Sequence, residues 1–185
     1  MSKQRPVVAV LVGSLSQQSI NRELAQALKK IAGDRADFRE VRLDDLPVYN
    51  RDVDGHYPEN FVRLKNDIEA ADAVLFVTPE NNRSVPAVLK NAIDIASRPW
   101  GTNSFAGKPG AVIGTSTGAM ATALAQQHLR NVCVFVDVLL MAQPEAFVRY
   151  HEGLFADDGS VTDDGVRGFL AKFVDAYLAW VNRFI

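Results

Sequence analysis

Short apolar runs alternate with segments of helical spacing five times along the chain, and this alternation restricts the fold more than any single motif. Val7–Val12, Ala73–Thr78, Gly110–Thr115 and Val138–Met141 are near-continuous apolar runs, and Phe38–Leu43 is a weaker, alternating one. Between them lie segments with helical spacing: Leu24, Ala27, Leu28 and Ile31; Phe61, Leu64 and Ile68; Val88, Leu89, Ala92, Ile93 and Ala96; Leu124, Leu129, Val132 and Phe135. The last stripe, Val166 to Val181, is unbroken, with Thr162 placed to cap it and Asp163 and Asp164 suited to its positive end. Continuous apolar strands joined by crossover helices predict an α/β fold, a doubly wound five-stranded parallel sheet with helices on both faces. The expected strand order is 2-1-3-4-5, which opens a ligand crevice at the carboxyl ends of strands 1 and 3. No linker, repeat or low-complexity stretch divides the chain, so residues 1–185 are read as one domain.

Composition narrows the function classes. A net charge of −2 offers no broad basic surface for a nucleic-acid backbone. The longest apolar runs are too short to span a bilayer, and Met1–Arg5 enters the first strand without a small-residue cleavage site. The expectation is a cytoplasmic protein without membrane or nucleic-acid partners. The one cysteine, Cys133, sits in an apolar stretch and reads as a buried structural thiol. His56, His128 and His151 lack the spacing of metal ligands, so no metal is expected. Ser14 is not in a Gly-x-Ser-x-Gly elbow, which argues against a hydrolase.

The first strand runs into Gly13-Ser-Leu-Ser-Gln-Gln-Ser-Ile-Asn21, which opens a helix. Free backbone N–H groups and the positive dipole end favour an anion there, with Ser14, Ser16, Ser19 and Asn21 as added donors. One glycine is too few for a dinucleotide fingerprint, and no Gly-Lys-Ser/Thr follows, so a phosphate monoester fits best. Plain helix capping by Ser16 or Ser19 is the structural alternative.

The same sheet edge should carry the loops after strands 3 and 4. Thr78-Pro-Glu-Asn-Asn-Arg-Ser-Val-Pro86 contains Pro79, which stiffens the exit, and Asn81 and Asn82, which tolerate left-handed backbone. Ser84 is placed to cap the following helix and Pro86 suits its first turn. Thr115-Ser-Thr-Gly-Ala119 has small side chains that let a flat ligand approach the backbone. Glu80 reads as a carboxylate accepting backbone N–H bonds, and Arg83 as a candidate partner for ligand phosphates or substrate. Arg98-Pro-Trp-Gly101 is placed near the same edge, with Trp100 shielding the site or packing between subunits. Leu46–Asp52 is expected to be non-helical, and Lys90 and Asp94 to form an ion pair one helical turn apart.

Gly-Ser-x-x-x-x-Ser-x-Asn-Arg after strand 1 and Pro-Glu-x-Asn-Arg-Ser-Val-Pro-x-Val-Leu-Lys-Asn-Ala-Ile-Asp after strand 3 resemble the NADPH-dependent FMN reductase family, which includes flavodoxin-like quinone, azo-dye and chromate reductases. The similarity runs from Val7 to about Pro144 and includes Phe105-x-Gly-Lys-Pro and His128-Leu-Arg130. The resemblance implies a flavodoxin-like fold, bound FMN, NADPH or NADH as donor, small-molecule acceptors, and a homodimer or homotetramer in which two subunits border each flavin. Carried over by motif, Ser14, Ser16, Ser19, Ile20 and Asn21 surround the phosphate. Pro79, Glu80, Asn81, Asn82 and Ser84 line the isoalloxazine, and Ser116, Thr117 and Gly118 close the other side. The chain departs from the family where Ser16 replaces a common arginine and Asn81 a common tyrosine. Gln127 and Leu124 stand where some tetrameric members carry tyrosine and arginine. The expected activity is hydride transfer from NAD(P)H through FMN, with no catalytic acid of the protein's own. The alternative is a flavodoxin-type electron carrier without a nicotinamide site. A phosphoryl-regulated receiver is disfavoured, because it needs acidic residues after strand 1, where Gly13 and Ser14 stand.

Overall fold

The computed structural model describes residues 5–185; Met1–Gln4, part of the stretch read above for a cleavage site, lie outside the described residues. Five helices and six strands follow in the order β1 (Val7–Val12), α1 (Ile20–Ala32), β2 (Asp37–Glu40), α2 (Glu59–Glu69), β3 (Ala73–Val77), α3 (Ala87–Ala96), β4 (Pro109–Ser116), α4 (Ala123–Phe135), β5 (Leu139–Leu140), β6 (Phe147–Arg149) and α5 (Asp164–Val181). The strands are parallel and ordered β2-β1-β3-β4-β5, the flavodoxin-like arrangement expected.

The fifth position differs from expectation. β5 pairs only with the start of β4, Leu139 opposite Pro109, while β6 takes up the same edge further along, Phe147 opposite Gly114. The intervening Ala142-Gln-Pro-Glu145 contains a proline that has no N–H for the ladder, so one edge strand becomes two short ones.

Both sheet faces are covered because successive side chains of a strand point to opposite sides. Val8, Val10 and Val12 of β1 join Leu24, Leu28, Phe173 and Tyr177 under α1 and α5. Ala9 and Leu11 join Phe61, Leu64, Leu89 and Ile93 under α2, α3 and α4. Tyr177 lies edge-on to Phe38, and its hydroxyl donates to the carbonyl of Val74 in the central strand at 2.8 Å. Burial holds that phenol well above its ordinary pKa.

Helix ends follow local chemistry. Ser19 caps α1 by accepting from the Arg22 N–H, and Gly33 closes it at φ 55°. Asp163, not Thr162, caps α5; the Thr162 hydroxyl is taken by the carbonyls of Gly153 and Leu154. Among the described residues no helix is long and apolar enough to cross a membrane. Cys133 is buried, and burial pushes its thiol up to about 12.

Candidate active site at the carboxyl edge of the sheet

The loop after β1 starts at Gly13, whose N–H donates to the Val77 carbonyl at 2.9 Å. A Cβ there would lie 2.9 Å from Pro86 Cγ and 3.2 Å from Pro79 Cδ, so only glycine lets this loop pass under the loop after β3. From that crossing the chain reaches α1 through exposed residues 15–18 and the buried Ser19. Arg22, in the first turn of α1, donates to the carbonyls of Ser16 (2.9 Å) and Ser14 (3.2 Å) and to Glu40 Oε1 (2.9 Å). Two loop carbonyls are thereby held by the guanidinium, away from the helix start. Nothing local in the sequence assigns Arg22 this role, although it stands three residues after the cap within the Ser-x-Asn-Arg motif.

Asn21 fixes the loop to the far side of the crevice. Its Nδ2 donates to the Thr115 carbonyl (2.9 Å) and its Oδ1 accepts from the Thr115 N–H (3.0 Å). This buried amide borders the cleft and ties its two walls together, with Oδ1 and one of the two Nδ2 hydrogens spent on Thr115. Ser14, Ser16, Gln18, Ser19, Ile20, Pro79, Glu80, Thr115, Ser116 and Thr117 complete the walls of a cleft of about 220 Å³. Thr115 Oγ1 is buried there without a hydrogen-bond partner, a deficit that a ligand oxygen would satisfy. Among the described residues no lysine or arginine lines the cleft. A larger cleft of about 450 Å³ lies on the other flank of the same loop, between it and the residues after β2. Its charged walls are already paired, Arg22 with Glu40 and Arg42 with Asp44.

The loop after β3 is held by α4 at two points. Glu80 Oε2 accepts from the N–H groups of Leu124 (2.9 Å) and Ala125 (3.0 Å), which caps α4 electrostatically. Ser84 Oγ bonds His128 Nδ1 at 3.0 Å, one helical turn further on. Ser84 therefore caps no helix; Pro86 occupies the α3 N-cap without a side-chain bond. Between the anchors, Asn81 and Ser84 exchange both backbone hydrogen bonds in a tight hairpin. Its two central residues carry positive φ, Asn82 at 52° and Arg83 at 63°. Asn82 takes the left-handed backbone as expected, but Arg83 and not Asn81 is its companion, because a two-residue turn of this hand needs both central positions there. Arg83 is exposed at the hairpin tip. In the loop after β4, Ser116 Oγ accepts from the exposed Gly118 N–H at 3.2 Å.

Trp100 is not at this edge. It follows α3, which returns the chain to the amino ends of the strands, and its ring lies 6.4 Å from Phe135 at the end of α4. Nearby, Gly107 N–H donates to Asp137 and Leu139 N–H to Lys108, at the start of β4. Within one chain Trp100 cannot shield the cleft. It is 78% exposed, with Arg98 stacked on its ring. Lys90 and Asp94 form the expected ion pair at 2.6 Å.

Residues 6–152 match the family model of NADPH-dependent FMN reductases. The chain belongs to that family. It is 48% identical over 175 residues to a 2-hydroxy-1,4-benzoquinone reductase of a Burkholderia species, covering 95% of this chain and 96% of that protein. It is 46% identical over 176 residues to a quinone reductase of Pseudomonas putida, covering 95% and 94%. Among solved structures, the flavoenzyme NAD(P)H:(acceptor) oxidoreductase FerB of Paracoccus denitrificans superposes with a TM-score of 0.94 at 48% identity, over 97% of this chain and 98% of that one. The donor set of this FMN reductase fits the cofactor: hydroxyls, a capped helix start and an unsatisfied buried Thr115 oxygen suit a phosphate tail, and the small Ser116–Gly118 loop opposite Pro79–Asn82 suits a flat ring.

Proposed function

We propose that the whole chain acts as one FMN-binding unit that passes a hydride from NAD(P)H to quinones or other small electron acceptors. The observation that carries this reading is the convergence of three loops on one cleft rich in neutral donors, with Arg22 bound to the Ser14 and Ser16 carbonyls and Glu80 Oε2 bound to the start of α4. The naming of two close relatives as quinone reductases supports the acceptor class.

When bound, FMN supplies the ring that accepts and donates the hydride. The protein's part is placement. Ser14, Ser16, Ser19 and Thr115 would hold the phosphate, with the start of α1 adding its dipole. The backbone of Pro79–Asn82 and of Ser116–Gly118 would flank the ring, and the Glu80 and Ser84 anchors fix the distance between the two walls. Arg83 at the hairpin tip would attract the phosphates of NAD(P)H or an acidic acceptor.

The active form in this reading is a homo-oligomer built on a dimer. Leu124, Val134 and Phe135 of α4, with Met120 and Trp100 beside its ends, are exposed apolar side chains grouped at the two ends of the helix, with exposed Gln127, His128 and Asn131 between them. α4 spans the sheet from the carboxyl edge to the amino edge. Antiparallel pairing of two copies would therefore bring the Trp100 corner of each to the cleft of the other.

Anaerobic reduction of the purified holoprotein by NADPH, followed by quinone-dependent turnover, tests the reading. Rapid reduction and steady quinone consumption are expected. An FMN-loaded protein that NAD(P)H does not reduce would instead be an electron carrier.

A further inference from the structure

We propose that Arg149 supplies the positive charge for the FMN phosphate in this chain. The assignment rests on the reading that the cleft between Gly13–Asn21 and Thr115–Thr117 takes that phosphate. A phosphate monoester carries between one and two negative charges at neutral pH. Among the described residues the cleft walls offer hydroxyls and a helix start but no cation, and Glu80 adds a carboxylate. Ser16 stands at the loop position from which a longer, charged side chain could have answered this need. Arg22, the one cation built into the loop, already binds two carbonyls and pairs with Glu40.

β6 brings another. The ladder sets Arg149 directly opposite Ser116, and the next residue donates its N–H to the Ser116 carbonyl at 2.9 Å. Ser116 and Thr117 form the cleft wall that faces Ser14, Ser16 and Ser19. Arg149 is exposed and has no hydrogen-bond or ion-pair partner among the described residues. Its backbone is held in place, while its guanidinium is free to bind an anion through two parallel N–H groups. The split fifth strand acquires a use on this view. A single short β5 beside Pro109 and Gly110 would stop well before the cleft; β6 sets an arginine opposite Ser116, which lines it.

The test compares FMN with riboflavin, which lacks only the phosphate, by flavin fluorescence quenching on apoprotein. Arg149→Met should weaken FMN binding about ten- to a hundredfold and riboflavin binding less than about threefold, the size of a lost charged hydrogen bond. Arg149→Lys should recover part of the loss, and FMN affinity of the Met variant should depend less on salt than that of the parent. Equal FMN affinity in parent and Arg149→Met, or equal losses for the two flavins, would overturn the assignment while leaving the cofactor reading standing. A parent chain that takes up no FMN would overturn both.

Discussion

Asn21 and Thr115 exchange two hydrogen bonds, side-chain amide to backbone, across the end of the sheet. The pair joins the helix start after β1 to the end of β4, which is what gives the cleft two opposed walls at a fixed spacing. Asn21→Ala would leave a buried N–H and a buried carbonyl without partners, at a cost of about 2–4 kcal/mol. Chemical denaturation should show that loss. FMN retention should fall with it, since the variant frees both walls.

Gly114 permits the closest approach in the sheet. A Cβ at this position would lie 2.0 Å from the Thr78 carbonyl oxygen and 2.5 Å from Thr122 Oγ1. Neither neighbour can move without breaking β3 or the start of α4. Gly114→Ala should destabilise the protein by about 3 kcal/mol or more, read as a lower midpoint in urea.

Ser14→Ala together with Ser19→Ala should weaken FMN retention by about 1–3 kcal/mol through lost phosphate hydrogen bonds. Ser19 also caps α1, so the double variant should lose about 1 kcal/mol of stability even without flavin. Equilibrium dialysis against FMN and unfolding of the apoprotein separate the two effects. Unchanged FMN affinity would remove the phosphate assignment.

Cys133 should be inert. Burial pushes its thiol up to about 12, so the nucleophilic thiolate is scarce at neutral pH. Native protein should resist a disulfide-exchange reagent at pH 8 and react promptly once unfolded. Fast reaction of the folded form would contradict the buried position.

Asp158 links the loop before α5 to α1. Lys30 Nζ reaches its Oδ2 at 2.7 Å and Ser160 bonds its Oδ1, so its carboxyl is held well below the usual carboxylate range, first by the Lys30 bond. Because the folded value is depressed, the link is complete above the ordinary carboxylate pKa and is lost as pH falls through the folded value. Carboxyl chemical shifts followed from pH 6 downward should show Asp158 titrating below the usual carboxylate range.

The sheet order and the three loops were legible because near-continuous apolar runs identify buried parallel strands without help from distant residues. β6 was not, since three residues with one buried side chain carry no periodicity above background. The partners of Ser84 and Asn21 lie 44 and 94 residues away, and nothing local announces such bonds. Local capping chemistry made Ser84 and Thr162 look like helix caps, and longer-range acceptors and donors claimed both. The misplaced Trp100 is a matter of connectivity: a segment that leaves a crossover helix and precedes a strand must lie at that strand's amino end.

The hairpin from Asn81 to Ser84 hangs from α4 by its two ends, and its own backbone closes the turn. The side chains of its tip take no part in that suspension. On the proposed reading, Arg83 at that tip can therefore be exchanged without loosening the loop that flanks the ring.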